Sequence, residues 1–288
     1  MGEKLKKEVI MNYCNPQGFK AELREIRKMG KDAFFSWFDG GETVDGAYEK
    51  SKDVFTRLML PWAKKYLGKL NEKVSLDIGY GGGGQVFAAS KHFKYSIGLD
   101  VHGEISSVEA ELRKRQGGRN KNTALFIGEG KNIPMDKDKI DFVYSWVTFL
   151  HLGTIQVVEE YLKEMFRVMK EGGVAVLFFT RLIRSHQVQS MNQYVEDMKK
   201  ENLHQTGFRE GGPLTRVNRP NLIMSFWKME RLAKEHGFSV IGATHSENEE
   251  GKVCGQHGLV FMKPKKKKPT TFKKKNPITL KGKKENET

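Results

Sequence analysis

The chain has 288 residues, of which 38% are hydrophobic and 30% charged, and its formal net charge is +15. That length can bury a substantial core and allows one or two domains. No apolar run approaches the length of a membrane-spanning helix, and the first residues lack a secretory apolar stretch, so we expect neither a membrane span nor export. Cys14 and Cys254 form no disulfide framework and no metal-binding pattern. We therefore expect no metal site and a reducing, cytoplasmic location.

The first predicted unit is a cap segment, residues 1–46, which precedes the regular alternation of strands and helices. It contains the stretch "DAFFSWFDGGET", with Phe34, Phe35, Trp37 and Phe38. These aromatic residues either form a lid over a bound acceptor or are the apolar side of an ordinary helix packed on the core. The residue pattern leaves both interpretations open.

The main domain is predicted to span residues 47–263. Apolar residues at four-residue intervals predict a helix over 47–69, which Pro61 kinks or splits in two. Strands are expected at 74–79, 95–101, 123–129, 140–147 and 174–180, and helices at 83–92, 106–116 and 155–170, the last ended by Gly172 and Gly173. Near-continuous apolar strands that alternate with amphipathic helices predict an α/β fold with a parallel sheet covered on both faces.

The rhythm changes after the fifth strand. An insert over residues 181–222 is expected to carry acceptor specificity, because loops on a rigid scaffold commonly do so. A helix at 225–237 and strands at 238–245 and 258–263 follow, and the polar linker between these two strands is expected to be exposed. A hairpin of the last two strands would add an antiparallel strand to the sheet.

The basic charge is concentrated in a C-terminal tail. From Lys263 to Thr288 there are eleven lysines and two glutamates, a net charge of +9, together with three prolines. This composition predicts that residues 264–288 are disordered. The tail either docks on RNA, DNA or another acidic surface, or is a solvated extension.

A glycine cluster in "VSLDIGYGGGGQVF" is the strongest local signal, with five glycines between residues 79 and 84. It follows a predicted strand and opens a helix, where α/β sheets bind ligands. Two cofactor patterns fit it: the dinucleotide pattern G-x-G-x-x-G and the S-adenosylmethionine (SAM) pattern of an acid, one residue and then G-x-G-x-G. The glycines alone do not separate the two cofactors.

Acidic residues at three successive strand ends favour SAM. Asp77 would repel a pyrophosphate but suits a ligand with an ammonium and a sulfonium group. Asp100 ends the second strand, where an acid accepts hydrogen bonds from ribose hydroxyls. Glu129 ends the third strand. Each acid could instead cap a helix or turn, but three of them in this register beside the glycines indicate a shared site.

Four ordered motifs resemble those of class I SAM-dependent methyltransferases, in particular the broad small-molecule branch. They are "LDIGYGGG", "IGLDV", "GEGKNIPMDKDKIDFVYSWVTFLHL" and "YLKEMFRVMKEGGVAVLFF". The chain departs from the family at Tyr80, where cysteine or alanine is common, and at Glu171, where proline is usual. The resemblance implies a Rossmann-like, doubly wound sheet of seven strands in the order 3-2-1-4-5-7-6, with strand 7 antiparallel and helices on both faces.

The resemblance also implies roles for particular residues around the cofactor. By this resemblance, the methionine part faces Asp77, Gly79, Tyr80, Gly81 and Gly83. Asp100 holds the ribose hydroxyls, Val101 packs near the adenine, and Gly128, Glu129 and Gly130 border the adenine. Ser145 and Trp146 lie beside the sulfonium. Side chains at 79–83 would occupy the space of the methionine chain.

The catalytic residues are less evident than the cofactor site. No "NPPY"-type sequence follows the fourth strand. His151 is a candidate base, or it merely packs or caps the following helix. We expect methyl transfer to oxygen or nitrogen of a small-molecule, sugar or lipid-linked acceptor. The alternatives are an RNA or protein methyltransferase targeted by the tail, and a nicotinamide-dependent oxidoreductase or non-enzymatic nucleotide-binding module.

Overall fold

A mixed β-sheet forms the centre of the structure, a computed structural model that describes residues 16–118, 121–152, 154–181, 204–206, 222–247 and 253–266. Its strands are β1 Val74–Ile78, β2 Tyr95–Asp100, β3 Thr123–Ile127, β4 Ile140–Ser145, β5 Met169–Arg181, β6 His204–Thr206, β7 Leu222–Met224, β8 Ser239–Glu247 and β9 Val253–Met262. Most of the predicted insert and the tail beyond Lys266 lie outside the described residues, as do residues 1–15.

Seven of these strands form the predicted topology. Parallel pairing joins β3, β2, β1, β4 and β5 in that order. Next to β5 comes β9, which is antiparallel to it, and β8 lies at the edge beyond β9. Counted along the chain without the short β6 and β7, the order is 3-2-1-4-5-7-6 with the last strand antiparallel, so the fold prediction is confirmed.

The short strands β6 and β7 form a hairpin at the end of β5. Thr180 of β5 pairs with β9 at Gln256 and with β7 at Ile223. These partners must lie on opposite edges of β5, and β4 stops pairing with β5 at Leu177. The hairpin therefore extends the line of β4 beyond its carboxyl end, above the edge where the glycine cluster lies.

Helices cover both faces of the sheet. They are α1 Pro16–Lys28, α2 Lys31–Asp39, α3 Val44–Val54, α4 Leu60–Leu67, α5 Gly84–Ser90, α6 Ile105–Arg115, α7 Ile155–Val168 and α8 Phe226–Glu235. Side chains alternate along each strand, so Phe142 packs with α4 and α5, whereas Val143 packs with α7 and α8. The two faces thus have separate apolar cores.

The predicted helix over 47–69 is split in two, which is one of the two outcomes expected from Pro61. It begins at Val44, after Thr43 accepts a hydrogen bond from the Gly46 N–H at 3.1 Å. A π-helix, Phe55–Met59, separates α3 from α4, and Pro61 lies in the first turn of α4. Proline has no N–H to donate, so the change of hydrogen-bonding register falls where the α-helical ladder is interrupted.

The predicted helix stop at Gly172 and Gly173 is wrong. The helix α7 ends at Val168, because Met169 is already extended and pairs with Ile140 at the start of β5. Gly172 lies within β5 with a positive φ of 78°, and its N–H donates to the Lys263 carbonyl at 2.8 Å. Strand pairing on both sides therefore decides the end of the helix.

The polar linker between the last two strands is shorter than predicted. The strands β8 and β9 extend into it, and Ser246 and His257 are buried rather than exposed. The Ser246 hydroxyl accepts a hydrogen bond from the Gln256 N–H at 3.1 Å, which continues the hairpin. In the ranges that the structure describes, no helix combines the length and apolar character needed to cross a bilayer.

Candidate cofactor and acceptor site

The glycine loop, residues 79–83, connects β1 to α5 at the carboxyl edge of the sheet. The Gly79 N–H donates to the Leu99 carbonyl at 2.7 Å, and the Gly128 N–H donates to the Asp100 carbonyl at the same distance. These bonds continue the parallel pairing of β1, β2 and β3 past the ends of the strands. The segments that carry Asp77, Asp100 and Glu129 therefore lie side by side.

Asp100 holds the glycine loop in place. Its Oδ2 accepts from the Gly81 N–H at 2.9 Å, and its Oδ1 accepts from the Val101 N–H at 2.6 Å. His102, two residues after Asp100, is also buried. Its Nε2 donates to the Gly81 carbonyl at 3.0 Å, and its Nδ1 accepts a hydrogen bond from the Glu104 N–H. Both backbone polar groups of Gly81 are thus bound by side chains from the end of β2 and the turn after it.

Asp77 is a buried carboxylic acid without a described partner. Its side chain is 2% exposed, and none of the described residues donates a hydrogen bond to it. Burial raises the pKa of Asp77 well above its usual range, and the nearby carboxyl groups of Asp39 and Asp100 raise it further. A buried acid in this situation favours a positively charged ligand.

The helix α2 covers the glycine loop. A Cβ atom on Gly81 would lie 2.7 Å from the Phe38 ring, and one on Gly82 would lie 3.1 Å from the Phe35 ring. On α3, the buried Tyr48 hydroxyl donates to the Gly82 carbonyl at 2.9 Å. The glycines are therefore needed for the packing of the cap on the loop. That they also make room for the methionine chain stays a prediction.

Ion pairs join the cap to α6. Arg27 pairs with Glu104 at 3.3 Å, and Lys31 pairs with the buried Glu111 at 2.6 Å. Arg115 bonds to Asp45, and its guanidinium carbon is 3.9 Å from the centre of the Tyr48 ring. The cap is thus fixed both by the aromatic contacts on the loop and by these charges.

The other side of the loop faces the segment after β4. The Ser145 hydroxyl is buried and donates to the Ile78 carbonyl at 2.7 Å, which ties β4 to the end of β1. Val147 has a φ of 66°, a costly conformation for a β-branched residue. It directs Thr148 onto the loop, where a Cβ atom on Gly79 would lie 1.8 Å from the Thr148 Oγ1.

Further predicted residues border this edge. Trp146 is half-buried, and its ring meets that of Phe178 edge-on at 4.7 Å. His151 is half-buried in the 3-10 turn Phe149–His151, and its N–H donates to the Thr148 carbonyl at 2.9 Å. Glu129 is exposed on the loop after the edge strand β3, whereas Asp77 and Asp100 are buried. Its role at the adenine stays a prediction.

Three residues at this site, Asp39, His102 and Thr148, were not predicted from the sequence. Asp39 ends α2, and burial raises its pKa to about 7. Its position could not be derived from the sequence, because the packing of α2 on a loop forty residues later is not a local property. His102 had a usable signal, since it follows Asp100 at the carboxyl end of a strand.

A strand order of 3-2-1-4-5-7-6 with a glycine loop and an acid at the end of the second strand defines the class I methyltransferase fold. Residues 76–177 match the family model of a methyltransferase domain. This stretch, about a third of the chain, is therefore similar to methyltransferase domains, and together with the fold the match supports SAM as the cofactor. A search of curated protein sequences found no match.

Solved structures with the same fold have low sequence identity. A Pyrococcus horikoshii protein is 18% identical with a TM-score of 0.52, over 76% of this chain and 92% of its own. A Galdieria sulphuraria protein, named provisionally as a sarcosine dimethylglycine methyltransferase, is 16% identical with a TM-score of 0.51, over 77% and 88%. A SAM-dependent methyltransferase from Methanosarcina mazei is 18% identical with a TM-score of 0.51, over 71% and 97%. Identities this low show the fold alone.

The residues at this edge fit SAM. The buried carboxyl group of Asp77 suits a positively charged group of the ligand, and two carboxyl groups, those of Asp77 and Asp100, make this edge unfavourable for a pyrophosphate. A carboxylate has about four acceptor positions, so Asp100 can still accept a ribose hydroxyl in addition to its backbone donors. Among the described residues, no three potential metal ligands of the His, Cys, Asp or Glu type lie together.

Proposed function

We propose that this protein transfers the methyl group of SAM to an oxygen or nitrogen atom of a small-molecule, sugar or lipid-linked acceptor, and that it works in the cytoplasm. The observation that carries the donor part of this proposal is the buried, unpartnered carboxyl group of Asp77 beside the glycine loop. It suits a cationic ligand without phosphate.

Different residues along the carboxyl edge of the sheet would bind different parts of SAM. Asp77 and the glycine loop would hold the amino-acid part of the donor. Asp100 and Val101 would bind the ribose and the adenine, and the segment from Gly128 to Gly130 would border the far side of the adenine. When bound, SAM supplies a methyl carbon that the acceptor's lone pair attacks in line while the carbon–sulfur electron pair returns to sulfur. Trp146 and Ser145 border the position of that sulfur, so this side of the site aligns the reactants and excludes water.

The acceptor is proposed to bind beside the ends of β4 and β5. The half-buried Trp146 presents aromatic surface there and is backed by the buried ring of Phe178, and the β6–β7 hairpin brings the buried Leu222 and Met224 above the end of β4. Small-molecule sites are lined mainly by such apolar groups with a few polar ones. His151 would take the acceptor's proton where the acceptor holds it tightly at neutral pH.

The test is ligand binding followed by product identification. Calorimetry should show that S-adenosylhomocysteine (SAH) binds and that NAD(H) does not, and a preference for NAD(H) would end the proposal. Asp77→Asn, which keeps the shape but removes the ionisable carboxyl group, should weaken SAH binding, whereas Glu42→Gln, at an exposed acid with no role in the site, serves as a control with a much smaller effect. Incubation of a small-molecule extract with methyl-labelled SAM then identifies the acceptor.

A second candidate is methylation of RNA or protein, and the basic tail favours it. Lys263 binds Asp138 at 2.7 Å, and Lys266 lies 3.7 Å from Glu171. The last described residue is therefore at the amino end of β5, across the sheet from the glycine loop. From there 22 residues with eight lysines and two glutamates continue. Their targeting role is tested by the truncation described in the Discussion.

A further inference from the structure

Asp39 lies against the glycine loop from the cap side. Its Oδ2 is 3.5 Å from the positions that Cβ atoms would take on both Gly82 and Gly84. It is the last residue of α2, which Phe35 and Phe38 hold on the loop. The cap therefore brings a carboxyl group to the part of the loop that faces the amino-acid end of the donor.

Asp39 and Asp77 form a pair of acids without a described counter-ion. The Asp39 carboxyl group is close enough to raise the pKa of Asp77. Burial raises the pKa of Asp39 itself to about 7, although a hydrogen bond with Ser51 acts to lower it. No described lysine, arginine or histidine lies within ion-pair distance of either group. Two neighbouring carboxylates, one buried at Asp77 and one half-buried at Asp39, are unfavourable, and a cation between them relieves both the repulsion and the desolvation.

The other ionisable groups around Asp39 do not supply that cation. On α3, Tyr48 is uncharged because burial raises its pKa, and Lys50 next to Gly40 is exposed to solvent. On β2, Asp100 adds a further negative charge. On α6, Arg115 is engaged by Glu111 at 2.8 Å and by Asp45.

We propose that Asp39 is a cofactor ligand supplied by the cap: Asp39 and Asp77 together receive the α-ammonium group of SAM or SAH, and binding drives protons off this pair into the buffer. The inference rests on the cofactor site proposed above. It makes the cap part of the cofactor site as well as a cover for it, and it predicts that binding is linked to pH near neutrality.

The experiment is calorimetry on the full chain with SAH, at pH 7 in phosphate and in Tris, whose different ionisation enthalpies report the number of protons released. Wild type should release protons on binding SAH, because the pKa of Asp39 is raised towards the pH of the experiment. Asp39→Asn should bind SAH about tenfold more weakly or worse and release fewer protons. Glu42→Gln, which removes an exposed acid of the same cap, should behave as wild type.

A second ligand separates a direct contact from a general disturbance of the cap. 5′-Methylthioadenosine has the adenosine and the sulfur but no amino-acid part, so its affinity should be the same in wild type and Asp39→Asn. An equal loss for both ligands, or no loss for SAH, would overturn the role of Asp39. Failure of wild type to bind SAH would instead overturn the proposed cofactor site itself, and the inference with it.

Discussion

Replacing Gly81 by alanine tests how closely the cap presses on the glycine loop. Gly81 has a φ of 51°, and forcing an L-residue into this left-handed region costs about 1–2 kcal/mol. The new methyl group would also lie 2.7 Å from the Phe38 ring, an overpacking that typically costs about 1–3 kcal/mol. We therefore expect Gly81→Ala to lower the free energy of unfolding by about 2–5 kcal/mol.

Urea unfolding with a matched control separates the two contributions. Gly117 has a φ of 76° and no atom within 4 Å of its Cβ position, so Gly117→Ala should show only the backbone cost. Adding Phe38→Ala to both backgrounds completes a double-mutant cycle, in which the excess cost at Gly81 should disappear. If Gly81→Ala is no more destabilising than Gly117→Ala, the cap does not contact the loop as described here.

Three further outcomes are expected. Asp100→Asn should weaken SAH binding by roughly 1–3 kcal/mol, because an amide nitrogen would replace an acceptor of the Gly81 N–H; calorimetry with an unchanged Kd would refute this. Since the pKa of Asp39 is higher in the folded protein, its contribution to stability is largest at low pH and is lost as the pH rises through about 7. The Asp39 carboxyl group should therefore account for a loss of about 3 kcal/mol of unfolding free energy between pH 5 and 8, so Asp39→Asn, followed by urea titration, should lose less stability than wild type over this range. Deleting residues 267–288 should remove any salt-dependent RNA affinity without changing SAH binding; equal RNA binding by both forms contradicts RNA targeting by the tail.

The central sheet was predictable because its signals are local. Each of the first three parallel strands is a short apolar run that ends in, or is followed by, an acid or a glycine, and the ordered motifs around Asp77, Asp100 and Asp141 fix which run is which strand. The predicted boundaries of β1 and β2 are within one residue of the observed ones. The error at Gly172 has a different origin. The residues before it pair with neighbouring strands, so the helix has already ended at Val168.

The cap contacts could not be predicted in the same way. Phe35 and Phe38 were recognised as part of an aromatic segment, but nothing in that segment says which surface it covers. The same applies to Asp39, whose neighbours Gly82 and Gly84 are more than forty positions away. Residues of this kind are defined by tertiary packing, so a single sequence gives no periodic or motif signal for them.

The bonds from Asp100 and His102 to Gly81 have a thermodynamic consequence for ligand recognition. Fixing the backbone of a free residue costs about 1–2 kcal/mol in entropy, and a segment so rich in glycine has the most to lose. Here that ordering is completed when the polypeptide folds, since two side chains already restrain the loop. A ligand arriving at this segment thus meets a preorganised surface and keeps more of its intrinsic interaction energy as affinity.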